Sequence, residues 1–139
     1  MNPTLSKVLD AICLERDNQK WSAASIAAFE LVAAYGEDCL AERLFNEIPR
    51  TVPFEIVAEL FDLVSWRTND NGAAITRTLE SWLIEGLDNR KLLIALHVEV
   101  YPFLDSREME RVLSDLGYKT PRLAARCKSL IESRNRRRT

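Results

Sequence analysis

The helical spacing of apolar residues constrains the fold of this sequence more than any other feature. Leu5, Val8, Leu9 and Ile12 recur three or four residues apart, which places them on one face of an α-helix. The sequence contains eight segments with this spacing, and short stretches of polar residues, proline or glycine separate them. We therefore predict an all-α fold of about eight short helices packed as antiparallel hairpins. Both a compact bundle and a short HEAT-like solenoid array fit this pattern.

Residues that start and stop helices set the predicted boundaries, because proline is tolerated in the first turn and glycine favours the position after the last. Pro3 starts the first helix, Ser22 caps the second, and Gly36 ends it. Asp88 introduces a sixth helix that runs to Pro102, with a short strand near its end as the alternative. The other predicted helices cover 37–47, 52–67 and 73–86, a seventh from Asp105 to Gly117, and an eighth from Thr120.

The length of 139 residues fits one hydrophobic core. We predict a single helical domain over residues 1–133, followed by a disordered basic tail over 134–139, which contains no apolar residue. No signal peptide or membrane-spanning run is present in the sequence given, so we expect a cytoplasmic protein. The three cysteines, Cys13, Cys39 and Cys127, fall where we expect the inner sides of helices, and we predict that they are buried.

Enzyme signatures are missing from the chain. It has no glycine-rich phosphate loop, no nucleophile elbow and no Glu-x-x-His motif of the kind that binds two metal ions in helical bundles. The one histidine, His97, lies in an apolar segment, where we predict a core side chain hydrogen-bonded to a backbone or carboxylate partner. We therefore predict a non-catalytic protein without metal or cofactor.

Charge is distributed unevenly along the chain. Residues 1–115 contain 20 acidic and 11 basic side chains, whereas residues 116–139 contain one acidic and eight basic side chains. The sequence therefore predicts an acidic body and a basic C-terminal end, each of which is a candidate binding surface.

The acidic candidate lies on the fourth predicted helix. Successive helical residues turn by about 100°, which places Glu55, Glu59, Asp62 and Trp66 within a sector of about 60°. Asp70 follows just beyond the helix. Tryptophan is enriched in binding hot spots, so we predict that these five residues bind a basic protein partner. The alternative is a solvated acidic face with Trp66 folded under the adjacent loop.

The basic candidate is the last helix and its tail. Its arginines are Arg122, Arg126, Arg134, Arg136, Arg137 and Arg138. They favour nucleic-acid binding as an alternative function, although a solvated helix end would have the same composition. No aromatic residue is interleaved with them, as is usual where proteins stack on bases.

Charge and size together lead to one functional prediction. A small acidic helical protein can occupy the phosphate-binding groove of a basic nuclease-type toxin, and its charge speeds association. We therefore predict a protein-binding module of the immunity or antitoxin type, with a nucleic-acid-binding regulator as the alternative.

Overall fold

A computed structural model describes residues 1–18 and 20–137. It confirms the predicted all-α fold, and the described residues contain no strand. The helices are α1 (Pro3–Arg16), α2 (Ser22–Tyr35), α3 (Leu40–Glu47), α4 (Phe54–Ser65), α5 (Ala73–Glu85), α6 (Asn89–His97), α7 (Ser106–Lys119) and α8 (Ala124–Arg137), with a 3-10 turn over Pro121–Leu123.

The helices form two compact units, Met1–Thr78 and Leu79–Thr139. The single domain over residues 1–133 stays a prediction. No helix of the described chain is both long enough and apolar enough to cross a membrane.

The first unit is built around mutual contacts of α1, α2 and α4. Alanines on the inner side of α2 are small enough to let the neighbouring helices approach closely. Side chains that pack between these three helices include Leu5, Val8, Ile12, Ala24, Ala28, Leu31, Val57, Leu60, Phe61 and Val64.

The start of α2 differs from the prediction that Ser22 caps it. Ser22 is the first helical residue, and no side chain of the preceding residue caps the helix. The carboxylate of Glu15, near the end of α1, accepts hydrogen bonds from the backbone N–H groups of Ala23 and Ala24 instead. A negative charge at a helix N-terminus is stabilising, so α1 supplies the cap of α2.

Two of the three cysteines are exposed, so their predicted burial was wrong. Cys13 lies beside Ile12 but points away from the buried side of α1. Cys39 has a left-handed backbone, with φ of 51°, and precedes α3, so that helix starts later than predicted. Cys127 is buried as expected.

In the second unit α7 packs against the 3-10 turn and α8. The predicted end of α7 at Gly117 was wrong, because the helix continues to Lys119. A Cβ atom at Gly117 would lie 3.2 Å from Cα of Ala124. This glycine therefore permits close approach of the following turn rather than ending the helix.

α6 ends at His97, earlier than the predicted end at Pro102, and no strand follows it in the described residues. His97 is partly exposed and not a core side chain as predicted, but its ring Nδ1 lies 2.7 Å from the carbonyl oxygen of Leu93, which matches the predicted backbone partner. After α6 the chain turns sharply at Phe103, whose backbone is left-handed with φ of 65° and whose side chain is buried.

Candidate protein-binding face

The candidate site is the acidic side of α4, which we call the α4 face and define by Glu55, Glu59, Asp62 and Trp66. The three carboxylate side chains are partly exposed, and the Trp66 side chain is 64% exposed. At a helical rise of about 1.5 Å per residue, the face is about 16 Å long. The remaining sides of the helix carry the buried residues Ile56, Val57, Ala58, Leu60, Phe61 and Val64.

Trp66 stands at the C-terminal end of α4, next to a loop that is fixed by hydrogen bonds. The Thr68 hydroxyl oxygen lies 3.1 Å from the carbonyl oxygen of Ser65 and accepts a hydrogen bond from the backbone N–H of Gly72 at 2.7 Å. Gly72 has φ of 82°, and a Cβ atom there would lie 2.6 Å from Cβ of Ser65. Only glycine lets the loop close against the helix end in this way. The loop does not cover Trp66.

Glu59 forms an ion pair with another helix. Its Oε1 lies 3.0 Å from Nε of Arg16 at the end of α1, and its side chain is 28% exposed. Arg16 was not predicted from the sequence, because helical periodicity shows the face of one helix and not the residues that a second helix brings to it. The pair reduces the net negative charge of the α4 face and holds the Glu59 side chain in one orientation.

Asp70 has a local structural role. Its Oδ2 accepts a hydrogen bond from the backbone N–H of Ala74 at 3.0 Å, and its Oδ1 accepts from the Thr68 hydroxyl and from Gly72 N–H. These bonds, with that from Ala74 the largest cause, hold the pKa of the Asp70 carboxyl below its ordinary value. Asp70 therefore stabilises the start of α5, while its exposed position leaves its charge near the α4 face.

Glu37 is a further acid beside this region. Both carboxylate oxygens accept from the backbone N–H of Asn69, at 3.0 and 3.2 Å. The contact brings the connection between α2 and α3 to the loop after Trp66. The sequence predicts Glu37 at the start of the helix over 37–47, whereas in the structure it lies before α3, outside any helix.

The arginines of the basic candidate surface fall into two groups: some donate hydrogen bonds to backbone carbonyl groups, and others are exposed. Nε of Arg126 donates to the carbonyl oxygen of Leu96 at 2.9 Å, and Arg134 donates to backbone carbonyls after α6. Arg122, Arg136 and Arg137 are exposed. Arg138 lies outside the described residues, as does the end of the predicted tail, whereas α8 continues through Arg137.

Comparison with known proteins adds no function: no family model, no curated protein and no solved structure matches the chain. Within residues 1–18 and 20–137, no group of three or more histidine, cysteine, aspartate or glutamate side chains is placed to hold a metal ion.

Proposed function

We propose that the chain is a non-catalytic protein-binding module whose α4 face binds a basic protein partner. The exposure of Trp66 beside three carboxylates is the observation that carries this proposal. A large aromatic side chain in water supplies apolar area for binding, and the surrounding acids select a partner of opposite charge.

The charge of the first unit supports the same partner class. Residues 1–78 contain 12 acidic and seven basic side chains, a net charge of −5. A field of this sign attracts a positively charged protein over a distance of about 8 Å at physiological salt. It also repels nucleic acid from this unit.

The concrete form that we propose is an immunity or antitoxin protein that neutralises a basic toxin. Nucleases bind phosphates through basic grooves, and the row of carboxylates from Glu55 to Asp62, about 10 Å long, can occupy such a groove in place of the nucleic acid backbone. We propose the cytoplasm as its location, because three free thiols, two of them exposed, suit a reducing compartment.

Capture of the partner tests the proposal. The full chain carrying an affinity tag is used to purify bound proteins from cells that express it naturally, at low and at raised salt. We expect a protein of high isoelectric point that the wild type retains at low salt and that Trp66→Ala loses. Tyr118→Ala is the matched control, because Tyr118 is another strongly exposed aromatic, at 87%, in the second unit.

Two results would contradict this function. One is capture of the same basic protein by wild type and Trp66→Ala alike. The other is salt-dependent retention of the chain on nucleic acid that is lost when Arg122, Arg136 and Arg137 are replaced by alanine, which would favour the nucleic-acid-binding alternative.

A further inference from the structure

Asn71 and Gly72, in the loop between α4 and α5, form the residue pair that is most prone to deamidation in polypeptides. The chain contains seven asparagines, and only Asn71 is followed by glycine. Asparagine is chemically labile, and a following glycine has no Cβ to hinder its backbone nitrogen. Asn71 is also exposed to water. The groups that react in deamidation therefore come together at this one position.

The reaction needs only the chain and water. The Gly72 nitrogen loses its proton and bonds to Cγ of Asn71, the bond from Cγ to Nδ2 breaks, and Nδ2 leaves with that proton as ammonia. One water molecule then opens the five-membered imide. Breaking the bond from the nitrogen to Cγ gives aspartate, and breaking the bond from the nitrogen to the backbone carbon gives isoaspartate. Each product adds one negative charge to the loop.

The folded loop holds the nitrogen that would attack. The N–H of Gly72 donates to Oγ1 of Thr68 at 2.7 Å and to Oδ1 of Asp70 at 3.1 Å. Gly72 is buried, and Thr68 is only 8% exposed. Because both acceptors hold the proton that must leave, both hydrogen bonds have to break before the nitrogen attacks. The Asp70 carboxylate also disfavours the negative charge that a deprotonated nitrogen carries.

The backbone at this point is fixed as well. Both residues are left-handed, with φ of 55° at Asn71 and 82° at Gly72. Gly72 lies so close to the end of α4 that a Cβ atom on it would be 2.6 Å from Cβ of Ser65. Rotation of the peptide toward the Asn71 side chain would carry the Gly72 nitrogen away from its acceptors. The reaction therefore requires the loop to open.

We propose that Asn71 is a deamidation site whose reactivity is controlled by the loop over 68–72. The closed loop withholds the Gly72 nitrogen, and each opening releases it. A loop opens at a lower cost in free energy than the whole chain unfolds, so the folded protein deamidates in proportion to the time that this loop is open. Isoaspartate lengthens the backbone by one carbon, which prevents the loop from closing as before. The inference is independent of the α4 face and its partner.

Peptide mapping by mass spectrometry of the full chain, incubated at mildly alkaline pH in buffer and in urea, tests this control. We expect Asn71 to deamidate before any other asparagine in both solutions, and about tenfold faster or more in urea, where the loop is open. Thr68→Val removes the nearer acceptor and should speed the reaction in buffer by about fivefold, as expected for one hydrogen bond, with no change in urea.

Thr78→Val is the matched control, because the Thr78 hydroxyl donates within α5, to the carbonyl oxygen of Ala74. It should deamidate like the wild type, and circular dichroism should show wild-type helix content for both threonine variants. Asp70→Asn tests the carboxylate: faster deamidation of Asn71 in buffer supports its protective role.

Four results would overturn the proposal. The first is an equal rate for wild-type Asn71 in buffer and in urea, and the second is a different asparagine that reacts first in the folded chain. The third is an equal acceleration by Thr68→Val and Thr78→Val. The fourth is slower deamidation of Asp70→Asn in buffer, which would show that the carboxylate takes the proton from Gly72 as a base.

Discussion

Among single residues, side chains of the same type differ in their exposure to solvent, and the three tryptophans show this. Trp66 is exposed, Trp21 is half-buried, and Trp82 is buried with the ammonium group of Lys91 over its ring. Periodicity placed Trp66 on the polar side of α4 but left its exposure open, because that depends on whether the next loop folds over it. The hydrogen bonds of Thr68 and Gly72 fix the loop, and they were not evident from spacing.

Tryptophan fluorescence checks the exposure of Trp66. We expect Trp66→Phe to remove the red-shifted part of the emission, because Trp66 is the most solvent-exposed of the three indoles. Trp82→Phe should instead remove emission at shorter wavelength, since Trp82 is 2% exposed. A spectrum that shifts to the red when Trp66 is replaced would show that Trp66 is buried.

Asp70→Asn should lower the free energy of unfolding by about 0.5 kcal/mol at neutral pH, because it removes a negative charge at the start of α5. Because the folded protein lowers the pKa of Asp70, its stabilising effect is present above the carboxyl pKa of the unfolded chain. It is lost as the pH falls through the lower pKa of the folded state. The measurement is urea unfolding of wild type and variant at neutral and acidic pH.

Asp38→Asn is the control for this experiment, because Asp38 is also exposed and precedes a helix. Its side chain accepts none of the backbone hydrogen bonds that hold Asp70, so its replacement should leave stability nearly unchanged. An equal loss for both variants, or a loss for Asp70→Asn that persists at low pH, would show that Asp70 does not act through its charged carboxylate.

At the scale of elements, the sequence predicted the number and order of helices correctly, because periodicity and turn residues act locally. Helix ends were less predictable where a residue distant in sequence caps the helix or packs against its end. Glu15 caps α2 from another helix, and the close approach of Ala124 explains why Gly117 lies inside α7. At the end of α6, Arg126 donates to the carbonyl oxygen of Leu96, a contact that spacing along the chain could not predict.

The C-terminal turn of α8 shows the largest difference between expectation and structure. The sequence predicts that deleting residues 134–139 leaves the melting temperature within a few degrees. In the structure, Arg134 donates to the carbonyl oxygens of Pro102, Phe103 and Leu104 at 3.0, 2.8 and 2.8 Å. Tyr101 adds a contact of 2.6 Å between its hydroxyl and that of Ser133. The hydrogen bonds from Arg134 satisfy backbone carbonyl groups that lie outside the helices and therefore accept no intrahelical hydrogen bond.

Arg134→Ala should therefore lower the free energy of unfolding by about 2 kcal/mol, as expected for loss of hydrogen bonds from a charged donor. Arg134→Lys should restore little of it, because a lysine ammonium group lacks the planar fork that reaches several carbonyls. Arg122→Ala is the control, since Arg122 is exposed at the start of the same region. Wild-type stability of Arg134→Ala in chemical unfolding would show that the hydrogen bonds of Arg134 do not contribute to stability.

At the scale of the whole molecule, charge divides between the two units. Residues 1–78 have a net charge of −5, whereas residues 79–139 contain nine acidic and 12 basic side chains, a net charge of +3. Composition was sufficient to predict this asymmetry. Composition could not predict that Arg16 pairs with Glu59 or that Arg126 and Arg134 bind backbone carbonyls, because such contacts depend on how helices pack. The structure therefore leaves fewer arginines for nucleic acid than the sequence suggests.

Charge on the α4 face should act mainly on the rate of association. Glu55→Lys reverses a partly exposed carboxylate, and we expect slower binding to the basic partner, with an effect that shrinks as salt is added. Dissociation should change little, because a peripheral charge contributes mostly through long-range attraction. Stopped-flow mixing at two salt concentrations measures both rates. A slower association that is independent of salt would contradict an electrostatic role.

The affinity of the captured partner for Trp66→Ala, measured by titration calorimetry, tests the α4 face most directly. We expect the dissociation constant to rise by about 30-fold, corresponding to about 2 kcal/mol, because tryptophan side chains are enriched among the residues that supply most of the binding energy of an interface. Tyr118→Ala should bind like the wild type, and both variants should keep their helix content. An unchanged dissociation constant for Trp66→Ala, or equal losses for both variants, would show that the partner binds elsewhere.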